Sequence, residues 1–292
     1  MLGNVTRDKK PPADFLSACL QFDVQRGEVA ANLASAEHCL RAAKVAGARL
    51  AVLPELWSTS FDKSYPPTLL AAALDADASL ARLSGELQMV IVGSSLESSD
   101  GKVFNRAQVL DCGEAVASYR KIHLFSPNAE HRGLTAGIQP VVVDTSAGRI
   151  AVLICYDIRF PELVRWSFYQ QAEILVVPAQ WPETRASHWR ALVDARAIEN
   201  QMFVVGCNRT GSETSLKTDD QLVFPGNSRI VDPMGELVAC GNGEDGPVMA
   251  AIDLRKVKTM RRMMPIEKDR RPALYRDLWA GPWSSAPSRQ TP

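Results

Sequence analysis

Short apolar runs alternating with segments of helical periodicity constrain this chain most. Residues 15–24 are strand-like. Residues 28–46 carry Val29, Leu33, Cys39, Leu40 and Ala43 at near-helical spacing and stop at Gly47. Residues 49–53 form a second apolar strand that closes on Pro54-Glu55. Strand, helix, strand of this length is a βαβ unit. A helix over 66–85 and a strand over 89–93 follow. Residues 103–110 and 115–119 flank Asp111-Cys112-Gly113-Glu114, a hairpin turn signal. After an irregular stretch at 126–137, strands over 140–144 and 149–154 lead to Cys155. A helix opening at Pro161 and another over 184–200 then alternate with strands over 173–178 and 201–208. Strand-like pieces at 228–231, 236–239 and 248–253 precede a last helix, 254–264, and a polar, basic tail. The pattern predicts one α/β domain with mixed sheets and leaves the number of layers open.

Composition narrows what such a domain can do. The 292 residues are 46% hydrophobic and 23% charged, as in a soluble globular protein with a sizeable core. With 33 basic against 33 acidic residues, bulk binding to nucleic acid or an anionic membrane is disfavoured. No apolar run is long enough to span a bilayer, and no apolar signal core follows the basic residues near the N-terminus. The six cysteines lie far apart, with no C-x-x-C pair and no Cys/His cluster. That argues against a disulfide framework or a zinc site and for a cytoplasmic setting.

Three sequences share a form in which an apolar strand leads to an ionisable or nucleophilic residue. They are Ala51-Val-Leu-Pro54-Glu55-Leu56, Tyr119-Arg-Lys121-Ile-His123 and Leu153-Ile-Cys155-Tyr156-Asp157. Strand ends are where α/β folds collect binding and catalytic groups. Each residue also has an ordinary explanation: Glu55 as a solvated carboxylate, Lys121 as a surface cation, Cys155 as a small core residue. At Cys155, a strand handing over to a helix would bring backbone N–H groups and a positive dipole end that lower a thiol pKa. None of the three is decisive alone. A Cys–His dyad is a further option, but His38, His123, His131 and His188 offer no convincing partner.

Together the three blocks closely resemble the nitrilase superfamily of carbon–nitrogen hydrolases, whose Glu-Lys-Cys triad occurs in this order with comparable separations. Leu53-Pro-Glu-Leu56, Arg120-Lys-Ile-His-Leu-Phe125 and Ile154-Cys-Tyr-Asp-Ile-Arg-Phe-Pro-Glu162 carry the resemblance, with Ala195-Arg-Ala-Ile-Glu-Asn-Gln201 as a fourth block. It implies a four-layer α-β-β-α sandwich with two mixed sheets over residues 15–280. Residues 1–14 would be an N-terminal extension and 281–292 a flexible tail. It also implies Cys155 as nucleophile, Glu55 as a partly buried general base of raised pKa, and Lys121 with the Tyr156 backbone N–H as oxyanion holders. Glu130 corresponds to a second glutamate found in many members. No metal or organic cofactor is needed, and a homodimer or higher homo-oligomer is expected.

Trp181-Pro182-x-x-Arg185-x-x-His188-Trp189, followed by Gly206-Cys207-Asn208-Arg209, looks most like the ω-amidase branch. Those enzymes release ammonia from the terminal amide of 2-oxoglutaramate or 2-oxosuccinamate. A free substrate carboxylate needs a cation opposite the scissile end. Arg185 or His188 is the expected partner, with Trp181 as a pocket wall; Asp157 and Arg159 are further candidates for substrate contact, with a structural salt-bridge network bracing the cysteine turn as the preferred reading. Alternatives within the superfamily are amidases of deaminated glutathione, N-carbamoyl compounds or aliphatic amides. An alternative outside catalysis is a non-catalytic interaction subunit with the same fold.

Overall fold

The computed structural model describes residues 13–280. In chain order the first half holds β1 (Asp14–Gln21), α1 (Val29–Val45), β2 (Ala48–Val52), α2 (Pro67–Leu87), β3 (Val90–Ser99), β4 (Lys102–Asp111) and β5 (Glu114–Arg120). The second half begins with β6 (Val141–Thr145), β7 (Gly148–Val152), α3 (Pro161–Tyr169), β8 (Ile174–Ala179), α4 (Ala186–Asn200) and β9 (Phe203–Asn208). It continues with β10 (Ser212–Thr214), β11 (Gln221–Val223), β12 (Arg229–Val231), β13 (Leu237–Cys240) and β14 (Gly246–Asp253). The helices α5 (Leu254–Met263), α6 (Ile266–Asp269) and α7 (Pro272–Ala280) close the described chain.

Two six-stranded sheets result, ordered β14-β1-β2-β3-β4-β5 and β13-β12-β9-β8-β7-β6. In each, three neighbouring strands run parallel (β1-β2-β3 and β7-β8-β9) and the flanking strands pair antiparallel. The mixed sheets therefore follow from two similar halves, each joining its parallel strands through helices.

Side-chain alternation sorts the layers. In β1, β2 and β3, Cys19, Leu50, Val52, Val90 and Val92 join the cluster that includes Ile150, Val152, Leu175, Val177 and Val204 of the second sheet. Their neighbours Ala18, Leu20, Ala51 and Ile91 pack with Ala36, Leu40 and Ala43 of α1 and with Leu80 and Leu83 of α2. On the far side, Val164 and Phe168 of α3 and Trp189, Val193 and Ala197 of α4 cover the second sheet. The period of two along each strand thus produces the α-β-β-α stack. Gly206 permits the last contact, because a Cβ there would stand 2.8 Å from the Trp189 ring.

Several expectations change. β3 runs to Ser99, twice the expected length, because it pairs along its whole length with β4. The stretch expected to be irregular contains two 3-10 turns, Ser126–Asn128 and Glu130–Arg132. The basic tail begins with two helices, α6 and α7, whose starts follow Pro265 and coincide with Pro272. The β10-β11 hairpin was not foreseen, its strands being only three residues long. Residues 1–12 and 281–292, including most of the expected extension and the tail, lie outside the described residues. Among the described residues, no helix is long and apolar enough to cross a membrane.

Candidate active site

The two sheets meet at the C-terminal ends of their parallel strands. Just beyond β2, the Glu55 N–H donates to the Ala179 carbonyl at the end of β8 (3.3 Å), which ties one sheet to the other. Glu55 and Lys121, the latter just after β5, are fully buried, so their solvated readings do not hold, and Cys155, three residues beyond β7, is buried to all but 8%. Lys121 Nζ lies 2.7 Å from Glu55 Oε1 and 3.0 Å from both carboxylate oxygens of Glu130. Glu130, buried in the second 3-10 turn, also accepts from the Phe125 N–H (3.0 Å). The loop carboxylate is therefore an integral part of the cluster.

Glu55 is held on several sides. Oε1 accepts from Asn105 Nδ2 (2.9 Å) in β4 as well as from Lys121, and Oε2 accepts from the Gln180 N–H (3.2 Å). The Gln180 side chain donates to the Glu55 carbonyl (2.7 Å), while the Gln180 carbonyl stands 3.9 Å from Cys155 Sγ. The thiol also lies within hydrogen-bonding reach of the Glu55 carboxylate. Four polar groups from four strand ends or loops thus converge on one point.

Burial raises the Glu55 pKa, with Lys121 opposing and Glu130 adding to the rise. At Lys121, burial pulls the ammonium down, but Glu130 and Glu55 together hold it well above its ordinary value. The cation is permanent. Burial, reinforced by Glu55, also pushes the Cys155 thiol well above its ordinary value, against the pull of Lys121. This overturns the expectation of a thiol lowered by a helix dipole. Cys155 opens a separate 3-10 turn, Cys155–Arg159, and α3 begins only at Pro161.

The turn is held by other means. Cys155 has φ +45°, a left-handed conformation that costs about 1–3 kcal/mol in a residue with a side chain. Asp157, wholly buried, offsets this by accepting from Tyr119 Oη (2.7 Å), the His123 N–H (2.8 Å) and the Ile154 N–H (3.1 Å), with His123 Nδ1 at 2.9 Å. Tyr119 and His123 bracket Lys121 in sequence, so Asp157 locks the lysine segment to the cysteine turn. Asp157 braces the turn as expected, but its partner is not Arg159.

Arg159 instead lines the cleft above Cys155, together with Tyr156, Trp181, Arg185, Phe125 and Phe61. Its guanidinium sits 4.7 Å over the Trp181 ring, and that of Arg185 sits 5.2 Å over Phe125. Trp181 is fixed by Asn208, which accepts from its backbone N–H (2.7 Å), and by the Arg185 carbonyl, which accepts from Nε1 (2.7 Å). His188 is not among the cleft residues; it is exposed, with Nδ1 3.2 Å from Arg159 Nη2. One helical turn beyond Arg185, its side chain points elsewhere. Among the described residues, no group of three or more His, Cys, Asp or Glu side chains is placed to hold a metal ion.

Gln180 and Asn105 were missed in the sequence. Gln180 follows β8 directly, as Glu55 follows β2, and that shared position was the available signal. Asn105 lies inside β4 and offers none.

Comparison with known proteins identifies the family. The sequence model of the carbon–nitrogen hydrolase family matches residues 17–262. The chain belongs to the carbon–nitrogen hydrolase family. It is 36% identical to the 2-oxoglutaramate amidase of Bacillus subtilis over 263 residues, covering 88% of this chain and 98% of that one. It is 34% identical to the chloroplastic omega-amidase of Arabidopsis thaliana, covering 84% and 69%. The crystal structure of a carbon–nitrogen hydrolase from Helicobacter pylori G27 superposes with a TM-score of 0.84 at 26% identity, covering 91% and 98%.

The Asp157 bracket makes a specific prediction. Asp157→Asn turns an acceptor toward several donors into a donor, and each unsatisfied buried group costs about 1–3 kcal/mol. Chemical denaturation should show a loss of at least that size, with a fall in Cys155 alkylation by iodoacetamide. A variant as stable and as readily alkylated as the parent would contradict the locking role.

Proposed function

We propose that this protein is a cysteine-dependent amidase that hydrolyses the terminal amide of a small 2-oxo acid, of the 2-oxoglutaramate or 2-oxosuccinamate type. Two arginines, Arg159 and Arg185, project into the cleft above Cys155 with no carboxylate of a described residue paired to either. That observation carries the substrate reading. Arg26, also in the cleft wall, is by contrast neutralised by Glu213 (3.4 Å). Guanidiniums over aromatic rings with no carboxylate partner are a ready seat for a substrate carboxylate.

The chemistry needs three functions from the cluster. As the Cys155 sulfur attacks the amide carbon, Glu55 takes the thiol proton, so the nucleophile is generated only when an electrophile is in place. Lys121 directs its N–H groups to Glu55 and to both Glu130 oxygens, and in this reading one of those to Glu130 turns to the developing oxyanion. The Tyr156 backbone N–H is the second oxyanion donor in this reading. Glu55 then returns its proton to the leaving nitrogen, ammonia departs and a thioester remains. In the second half-reaction Glu55 removes a proton from water, which attacks the thioester; the acid leaves and Cys155 recovers its proton. The sum is amide plus water giving carboxylic acid plus ammonia.

Ammonia release from 2-oxoglutaramate, with a Cys155→Ala control, tests the activity. A charge-assisted hydrogen bond is worth about 1.5–3 kcal/mol, so Arg159→Ala or Arg185→Ala should each raise KM for 2-oxoglutaramate by roughly 10- to 100-fold. Turnover of an uncharged aliphatic amide should change far less. Unchanged KM in both variants would remove the carboxylate clamp.

The raised Glu55 pKa fixes a sign for pH dependence. A base is lost when it protonates, so activity should fall as pH drops through a value above the ordinary glutamate pKa of about 4.3. The acid limb of kcat/KM reports this for the free enzyme. A limb at or below that value would take the base role away from Glu55.

The reading includes a homodimer in the cytoplasm. Ile198, Met234, Leu237 and Val238 are exposed around the edge of the second sheet, an apolar face suited to self-association. Sedimentation should give a dimer of 32.0 kDa chains; the mass of a single chain across micromolar concentrations would count against it.

A further inference from the structure

We propose that Arg209 is a positioning residue for the Glu55–Cys155 pair, acting through Gln180. The inference rests on the reading of Glu55 as the base. Arg209 follows β9 and is 1% exposed, yet it is not among the residues lining the cleft. Its Nη1 donates to Gln180 Oε1 (3.1 Å), to Glu213 Oε2 (3.1 Å) and, at 3.3 Å, to Ser60 Oγ. Nη2 donates to Asp23 Oδ1 (2.7 Å), Nε to the Thr210 carbonyl (3.1 Å), and the guanidinium lies 4.3 Å over the Phe224 ring. The group is anchored on the side away from Gln180 and presents a fixed donor toward it.

The value of that donor lies in the symmetry of an amide. A glutamine side chain can turn over, exchanging its oxygen and nitrogen with little change of shape. Here the two orientations are not equivalent. Gln180 Nε2 must face the Glu55 carbonyl for the 2.7 Å bond to form. Guanidinium has donors and no acceptor, so Arg209 tolerates only the oxygen on its side and thereby directs the nitrogen to Glu55. Ser60 Oγ also reaches Gln180 Oε1 (3.1 Å), but its single proton is contested by Glu213 Oε2 (3.0 Å). Arg209 Nη1 carries two N–H groups and can serve Glu213 Oε2 and Gln180 Oε1 together. Through the same residue the effect reaches both reacting groups, because the Gln180 N–H holds Glu55 Oε2 and its carbonyl faces Cys155 Sγ.

The ion pairs of Arg209 with Asp23 and Glu213 give it a structural role beside this one. Burying a guanidinium carries a desolvation cost of several kcal/mol that ion pairing at best offsets. A neutral side chain of similar volume would fill the space but would leave the Gln180 amide free to turn.

A double-mutant cycle on the full-length protein tests this, with Arg209→Met, Gln180→Leu and the combined variant compared by steady-state kinetics and by Cys155 alkylation with iodoacetamide. Arg209→Met should lower kcat by at least about tenfold and leave KM within about threefold, since the arginine lies outside the cleft and does not touch substrate. Alkylation should slow in parallel. In the combined variant the loss should match that of Gln180→Leu alone, because the arginine has nothing left to orient. Full kcat in Arg209→Met, or losses that simply multiply in the combined variant, would overturn the proposal. Should Arg209→Met fail to fold, Arg209→Lys enters the same cycle; failure of both to fold would assign Arg209 to stability and equally overturn it. Glu55→Gln is the control: if that variant turns over normally, the triad reading is at fault. If it is inactive while Arg209→Met is not, only the positioning role falls.

Discussion

One ammonium group without access to water organises the centre of this molecule. Lys121 is 1% exposed, and moving such a charge out of water costs several kcal/mol unless partners replace the lost hydration. Glu55 and Glu130 replace it, and each comes from a different part of the chain. The segment after β2, the end of β5 and the 3-10 turn at Glu130–Arg132 must therefore close on a common point. This explains why a long connection without sheet pairing is ordered: its glutamate is buried only because the lysine needs a second counter-charge. Removal of one partner would leave an unpaired ion in the core, which is far more costly than never having buried the set.

The fold brings these groups together by repeating one device. In each half the parallel strands deliver their C-terminal ends to the same edge: Glu55 after β2, Cys155 after β7, Gln180 after β8 and Asn208 at the end of β9. Face-to-face packing of the sheets then superimposes the two edges, and the Glu55 N–H to Ala179 carbonyl bond marks where they join. Asp157 performs the equivalent task within the second edge, binding the backbone around Lys121 to the turn that holds Cys155 in a left-handed conformation. Geometry within the cluster is set by backbone contacts more than by the flexible ends of side chains.

This division explains what could be read from the amino-acid sequence. Alternating apolar runs located the helices and most strands, because burial on one or both faces leaves a local periodicity. Glu55, Lys121 and Cys155 stood out through their shared place beyond strands, and the resemblance turned three weak signals into one. For Arg159 the substrate role and the salt-bridge role were both open, and the preferred pairing with Asp157 is not the one found. Asp157 faces Tyr119 and His123, and Arg159 faces Trp181. Of the two alternatives for the substrate carboxylate, Arg185 lines the cleft from a 3-10 turn, whereas His188 is exposed within α4 and is not among the cleft residues. Asn105 and Gln180 act through contacts across 50 and 125 residues of chain, which no local pattern encodes.

The state of the thiol follows from the same electrostatics. A cysteine activated by a helix dipole is a thiolate at rest and reacts with any electrophile or oxidant that reaches it. Cys155 is placed differently: it is buried beside a carboxylate, and both burial and Glu55 favour the neutral thiol. Lys121 opposes this, but its charge is already committed to two carboxylates. An adjacent base that takes the proton during attack removes the need for a standing thiolate. In the proposed mechanism this arrangement confines nucleophilicity to the moment a carbonyl occupies the site, so selectivity would rest on what the cleft admits and holds. The position of Glu55 relative to the sulfur then becomes the sensitive quantity, since a displacement of about 1 Å can cost on the order of 10²-fold in rate. That sensitivity accounts for the number of hydrogen bonds converging on a single carboxylate.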